Sequence, residues 1–361
     1  MYFSVDMAKR NKKTVQYSLI VLLSLYLISA LWLQSAKGIQ FYIPYVYLPL
    51  QRIRNTLFHM FRFSIGDIVY IILLAWLLYT LFKLIQFLFT WRKNKKNLLL
   101  KFGRISMTLV FLYASFIILW GANYNRPKLI SDHDTESLDK NALIALNDSL
   151  VHKLNTLNPH EQPLVLSELN KQLSKDYSLL FGPKVPELMV KPTVFGNMLH
   201  YFGIQGYYNP LSGEGQFAAS LPQFMWGFVI AHEMAHQAGI ASEGEANFLA
   251  YVVCVQDSLA PTQYSGYFNL FLYANRELAE TDSALALAKY EALNPSTRAD
   301  IQTLKNMRQQ YRSIFRGLSL DFYNWYLQNR GLKQGIRSYR QIARNVYDWE
   351  QKGKPAIALY P

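Results

Sequence analysis

The stretch from 228 to 251, FVIAHEMAHQAGIASEGEANFLAY, places two histidines and three glutamates between apolar flanks. Charged groups in apolar surroundings are costly unless they are paired or bound to a metal ion. On a helix, His232 and His236 are four positions apart and share one face, so both rings can reach a single metal ion. Glu233 can take a proton from the attacking water and return it to a leaving amine. This H-E-x-x-H pattern predicts a hydrolytic metal site.

A catalytic zinc site needs a third protein ligand and an open position for water. Ser242 and Glu245 have the spacing of a capping box, which would occupy Glu245 at the start of a second helix and leave Glu243 free. Gly239 is placed to end the first helix in a left-handed turn. Asn247, one helical turn after Glu243, could hold its carboxylate. Glu243 is therefore the predicted third ligand, and Glu245 is the alternative.

These residues resemble the zincin metallopeptidases, and Glu243 with Asn247 is similar to the E-x-x-x-D/N second motif of the gluzincin branch. The combination GYYNP…GEGQ…HEMAHQAGIASEGEANF also resembles an uncharacterised bacterial family of membrane zinc metallopeptidases. Ser242 stands where a metzincin would have its third histidine, so the metzincin pattern fails there. The resemblance implies one Zn²⁺ ion bound by His232, His236 and Glu243, with Glu233 as the catalytic base.

Three apolar runs are long enough to cross a membrane as helices, and they surround the strongest basic segments of the chain. The runs cover residues 15–36, 65–89 and 105–124. We therefore expect a membrane region over residues 1–124 and a second domain over 125–361. The amphipathic, aromatic loop between the first two runs is expected to lie along the membrane interface.

Charge is distributed unevenly along the chain. Of its 37 Lys and Arg and 24 Asp and Glu, 17 and 2 lie in residues 1–128, which leaves a net charge of −2 beyond them. A basic excess confined to the flanks of apolar runs argues against nucleic-acid binding and indicates contact with a lipid bilayer. The N-terminus and the loop between the second and third runs are the most basic, so both are expected in the cytoplasm. The predicted location is the bacterial cytoplasmic (inner) membrane, with several spans and an extracytoplasmic, periplasmic C-terminal domain.

The expected fold is an N-terminal three-helix transmembrane region followed by an α+β, mostly helical, zincin-like domain. Residues 203–222 read as a hairpin, and the segment from 223 to about 347 is mostly helical. The zincin resemblance implies a mixed sheet above the H-E-x-x-H helix, with 214–222 as the candidate edge strand for substrate. It also implies a side chain that stabilises the oxyanion, for which Tyr264, Tyr267, Tyr273 and His200 are candidates.

The favoured function is a membrane-anchored, zinc-dependent metallopeptidase that hydrolyses peptide bonds outside the cytoplasmic membrane, with a peptide or protein as substrate. One alternative is a zinc-binding envelope scaffold without catalysis. The other is a zinc amidase that acts on cell-wall peptides. Glu233 weighs against the scaffold, because a structural zinc site needs no general base.

Overall fold

The computed structural model describes residues 17–18, 21, 24, 31–89, 98–130, 138–160, 162–329 and 341–360. These residues form two compact units. The N-terminal unit contains the chain up to Leu50 together with Ile65–Arg126 and Pro210–Ser212. The C-terminal unit contains Gln51–Ser64, Pro127–Asn209 and Gly213–Pro361. Residues 51–64, expected at the membrane interface, thus belong to the unit that carries the H-E-x-x-H motif.

Helices α1 (Ala36–Tyr42) and α2 (Leu48–Phe58) are joined by a π-helical turn at Ile43–Tyr47. Ser35 caps α1 by accepting a hydrogen bond from the Gly38 amide at 3.0 Å. Helices α3 (Ile65–Phe89) and α4 (Leu98–Leu119) follow, and a short 3-10 helix at Gly121–Asn125 ends the N-terminal unit.

Helix α3 is the only helix in the described part of the chain that is long and apolar enough to cross a membrane. The most hydrophobic window of its segment Ile65–Phe87 has a mean hydropathy of 2.3 and contains no buried residue. The third predicted span falls on α4, which ends at Leu119, five residues before the predicted end at 124, and its described apolar part is Ile105–Leu119. The first predicted span, 15–36, lies mostly outside the described residues. One of the three expected spans is therefore present as a candidate membrane helix.

The C-terminal unit is mostly helical, as expected, and contains one small sheet. Its helices are α5 (Lys140–Thr156), α6 (Leu166–Phe181), α7 (Met198–Tyr201), α8 (Trp226–Gln237), α9 (Glu243–Gln256), α10 (Ala260–Thr281), α11 (Ser283–Glu291), α12 (Pro295–Gln310), α13 (Ile314–Asn329) and α14 (Gln341–Gln351). Helices α8 and α9 lie at the centre of the hydrophobic core, and almost every side chain of both is buried.

The sheet has three strands, β1 (Val190–Pro192), β2 (Gly206–Asn209) and β3 (Glu214–Phe217), in the order β1-β3-β2. Strand β3 pairs with β1 in parallel and with β2 in an antiparallel hairpin, so the predicted hairpin and mixed sheet are both present. The prediction that 214–222 supplies an edge strand is wrong. Both sides of β3 are paired, and its backbone groups are used within the sheet. Strand β2 is an edge instead, and the sheet packs against α8.

Candidate active site

Helix α8 presents His232, Glu233 and His236 from within the core. It ends as predicted, because Gly239 has φ +84° and the Ile240 amide donates to the Ala235 carbonyl at 3.1 Å. This is the hydrogen-bond pattern of a glycine-terminated helix. The turn also brings the Ile240 carbonyl to within 2.7 Å of His236 Nδ1. Because a carbonyl oxygen can only accept, His236 Nδ1 carries the proton and Nε2 is left with a lone pair.

Helix α9 begins immediately after this turn and brings Glu243 to the histidines. Its Oε2 lies 3.2 Å from His232 Nε2, and its Oε1 lies 3.6 Å from His236 Nε2. The Ser242 hydroxyl accepts from the Glu245 amide at 3.5 Å, which is one half of the predicted capping box. The Glu245 carboxylate accepts instead from the Leu129 amide at 2.6 Å. The structure therefore places Glu243, and not Glu245, beside the two histidines.

Three electron-pair donors converge in this site. The two histidine Nε2 atoms are 3.2 Å apart, and the candidate ligand atoms of His232, His236 and Glu243 all lie within 4.8 Å of one another. Lone pairs crowded this closely repel unless a proton or a cation lies between them. Two imidazole nitrogens and one carboxylate form a donor set that suits Zn²⁺ and leaves a fourth position open. The residues present therefore fit a metal ion.

The environments of the two histidines differ. Burial lowers the pKa of His236. Burial also acts to lower the pKa of His232, but the hydrogen bond and charge of Glu243 outweigh it, and the pKa is raised. Asn247, expected behind Glu243, lies beside His232 and adds to this effect. Within the described part of the chain, His232 Nδ1 and Asn247 Nδ2 are buried without a hydrogen-bond partner.

Glu233 is the only one of the three glutamates that lies beneath the sheet. Its side chain is 3% exposed, and its Oε2 has no hydrogen-bond partner among the described residues. Burial raises the pKa of Glu233 to about 8; the charge of His232 opposes this shift and that of Glu243 adds to it. A carboxyl group that titrates near neutral pH can both accept and return a proton, which is what a general base in hydrolysis must do.

Two glycines allow the sheet to approach Glu233 closely. A Cβ atom on Gly206 would lie 2.6 Å from Glu233 Oε1 and 2.8 Å from the Gln216 carbonyl oxygen. A Cβ atom on Gly215 would lie 3.1 Å from the Glu233 Cβ. The lack of a side chain at both positions lets β2 and β3 cover this carboxyl group and keep it in one place.

Of the four candidate oxyanion donors, Tyr273 is the one that the structure connects to the site. Burial raises its pKa to about 12, and the charge of Glu243 adds to the shift. The hydroxyl of Tyr264 donates to Asp300 at 2.7 Å, and Tyr267 packs edge-on against Tyr251. His200 Nε2 lies 2.8 Å from the Ser220 hydroxyl. Tyr273 thus remains the candidate, with a hydroxyl that keeps its proton at neutral pH.

A match to one protein family includes both the site and the segments around it. Residues 42–347 match a family described as a protein of unknown function, DUF3810. The chain belongs to this family. No curated protein and no solved structure matches it. Because the DUF3810 description assigns no function, the resemblance to zincin metallopeptidases stays a prediction.

The DUF3810 match includes residues 51–64, which were expected at the membrane interface and not near the site. Lys191 on β1 is 2% exposed and donates to the Phe58 carbonyl at 2.6 Å, the Phe63 carbonyl at 3.2 Å and Glu214 Oε1 at 2.7 Å. Glu214 on β3 is also 2% exposed. The segment 51–64 thus holds an ion pair that joins the two parallel strands of the sheet.

Further contacts fix the same segment to the loops around the sheet. Gln51 Nε2 donates to the Gly213 carbonyl at 2.7 Å, and its Oε1 accepts from the Tyr208 hydroxyl at 2.9 Å. Ser64 Oγ lies 2.8 Å from the Gln216 side-chain amide. The signal for this role was present in the sequence, because QRIRN at 51–55 is unusually polar for a loop between apolar runs. The partners of residues 51–64, 128 or more positions away in the sequence, carry no such signal.

Proposed function

We propose that this protein is a zinc metallopeptidase, anchored in the membrane, that hydrolyses peptide bonds outside the cytoplasmic membrane. The observation that carries the proposal is the convergence of His232, His236 and Glu243 beside the buried carboxyl group of Glu233, whose Oε2 has no hydrogen-bond partner among the described residues. A site built only to hold a metal would gain nothing from that carboxyl group, because its burial is costly.

Each side chain has a separate task in this reaction. Zinc, when bound, would supply a Lewis acid that polarises the peptide carbonyl and makes water more acidic. His232, His236 and Glu243 would hold the ion, and the Ile240 carbonyl fixes the ring of His236. Glu233 accepts a proton from the attacking water and passes it to the leaving amine. The Tyr273 hydroxyl donates a hydrogen bond to the oxyanion.

The edge strand β2 is the proposed guide for the substrate. An extended peptide can add to the outer strand of a sheet through main-chain hydrogen bonds. Gly206, at the start of β2, lies directly against Glu233. A peptide paired with β2 would therefore run past the proton-accepting group.

The proposed location follows from the charges that flank the apolar runs. The many lysines and arginines before the first run and between the second and third predict that both segments stay in the cytoplasm. A third crossing then puts everything after residue 124 on the outer side, so the active site is periplasmic. The helix α3 supports the membrane part of this proposal.

The experiment compares four full-length proteins purified in detergent: wild type, His232→Ala, Glu233→Gln and the control His152→Ala, which changes an exposed histidine. We expect about one zinc per chain in all but His232→Ala. We expect cleavage of a peptide library, read by mass spectrometry, only from wild type and His152→Ala. Zinc without cleavage in wild type would favour a scaffold, and absence of zinc from wild type would refute the metal site.

A further inference from the structure

Three arginines lie near one another on α10, α12 and α13. Arg276 on α10 and Arg308 on α12 are exposed, and Arg316 on α13 is half-buried. Partial desolvation and the charges of Arg316 and Arg276 lower the pKa of Arg308, so Arg308 lies within electrostatic range of the other two. In the part of the chain that the structure describes, none of them forms a salt bridge.

The segment that carries Arg316 packs on the residues that lead into β2. The hydroxyls of Ser313 and Ser319 donate to the carbonyls of Tyr201 and Phe202 at 2.6 and 2.7 Å. The Arg316 side chain covers Gly203, where a Cβ atom would lie 3.2 Å from Arg316 Nε. Gly203 precedes Gly206 by three residues, so at most about 11 Å of backbone separates this arginine's contact from the glycine that touches Glu233.

Tyr273 connects the arginines with the proposed metal ligands. After burial, the charge of Glu243 raises its pKa, whereas the charges of Arg308 and Arg276 lower it. The tyrosine therefore lies within electrostatic range of Glu243 and of two of the three arginines. Together with the contact between Arg316 and Gly203, these charge effects place the cluster near the proposed site.

We propose that Arg276, Arg308 and Arg316 form a subsite that binds a carboxylate of the peptide substrate. The proposal rests on the proposed peptidase function and adds a substrate class to it. Guanidinium groups bind carboxylates through paired, charge-assisted hydrogen bonds. Three neighbouring cations repel one another, and an arriving carboxylate relieves that repulsion. The cluster is a local feature, because residues beyond 128 carry a net charge of −2.

A substrate carboxylate can come from an acidic side chain or from the C-terminus, and three synthetic peptides separate these sources. The first has a central Glu and an amidated C-terminus. The second has Gln in place of Glu and a free C-terminus. The third has Gln and an amidated C-terminus, so it carries neither carboxylate.

Binding of each fluorescent peptide is measured by anisotropy on full-length Glu233→Gln protein in detergent, so that turnover plays no part. We expect at least one acidic peptide to bind about tenfold more tightly than the neutral one. This preference should be lost in Arg308→Gln and Arg316→Gln and weakened by added salt. The control Arg312→Gln changes an exposed arginine in the same segment and should keep the preference.

Equal affinity for the three peptides, no binding of any of them, or a preference that survives both arginine substitutions would overturn the subsite. None of these outcomes bears on zinc content or on cleavage by wild type, which test the proposed function separately. The peptide that keeps its advantage identifies whether the side-chain or the terminal carboxylate is recognised.

Discussion

At the scale of single residues, the site depends on how Glu233 is held. Its carboxyl group is buried and lacks a partner at Oε2 among the described residues. Such a group would normally be driven out of the core or shift its pKa. Here the pKa is raised to about 8, and the backbone of β2 covers the carboxyl group at Gly206. The site therefore requires glycine at position 206, because a side chain there would collide with the carboxyl group of Glu233.

The substitution Gly206→Ala tests this packing. The new Cβ atom would displace Glu233 Oε1 or the Gln216 carbonyl, which lie 2.6 and 2.8 Å away. We expect kcat for peptide cleavage to fall about 10²-fold, because small displacements of a reacting group are costly. Zinc content should not change. The control Gly317→Ala adds its methyl group to open space and should keep full activity; normal turnover in Gly206→Ala would show that the contact does not matter.

At the scale of elements, the sheet above α8 is short and needs support from outside. Strands of three or four residues form few ladder hydrogen bonds and are marginal by themselves. Residues 51–64 supply the support by binding Lys191, which in turn pairs with Glu214. Since β3 also carries Gly215, which packs on Glu233, this support extends to the proposed catalytic base.

Removal of the Lys191 ammonium group should therefore strongly lower the free energy of unfolding. In Lys191→Met, Glu214 becomes a buried charge without its cation, and we expect a loss of about 3–5 kcal/mol in unfolding free energy. The double variant Lys191→Met/Glu214→Gln should recover part of this loss, since it removes the stranded charge. Denaturant unfolding of the detergent-solubilised protein measures the change. Lys140→Met, which breaks an exposed pair with Asp282, is the control and should change little; a similar effect in both variants would contradict the supporting role.

The site motif and many of the elements were predictable because their signals are local. The spacing of His232 and His236, the glycine that ends α8 and the serine that starts α9 all act within one or two helical turns. The order of the strands was not predictable in this way. The sequence order of β1, β2 and β3 gives no indication that β3 lies in the middle. The role of Lys191 was hidden for a similar reason, since two of its partners are backbone carbonyls far away in the chain.

At the scale of the whole molecule, the two units differ in how their apolar side chains are covered. The N-terminal unit contains the apolar helix α3, with no buried part in its most hydrophobic window, as expected for a helix in contact with lipid. The C-terminal unit has a conventional core around α8, α9 and α10. The net charge beyond residue 128 is only −2, because the basic excess of the chain lies beside the apolar runs.

The proposed orientation can be tested by cysteine labelling. Cys254 is the only cysteine and is buried, so the background is low. A cysteine introduced at the exposed position Lys140 should react with a membrane-impermeant maleimide while the cytoplasmic membrane is intact. A cysteine at Lys95, in the basic loop between the second and third runs, should react only after lysis. The opposite pattern would reverse the predicted orientation.

The position of residues 51–64 also has a consequence for the synthesis of the protein. Phe63 and Lys191, which meet in the finished fold, are 128 residues apart in the chain. At ordinary translation rates, the segment leaves the ribosome on the order of ten seconds before its partner strand exists. The sheet therefore cannot close as the chain emerges, and contacts between distant segments are slow to form. The site in a nascent chain is therefore complete only after β1 and β3 have packed against residues 51–64, which are synthesised earlier.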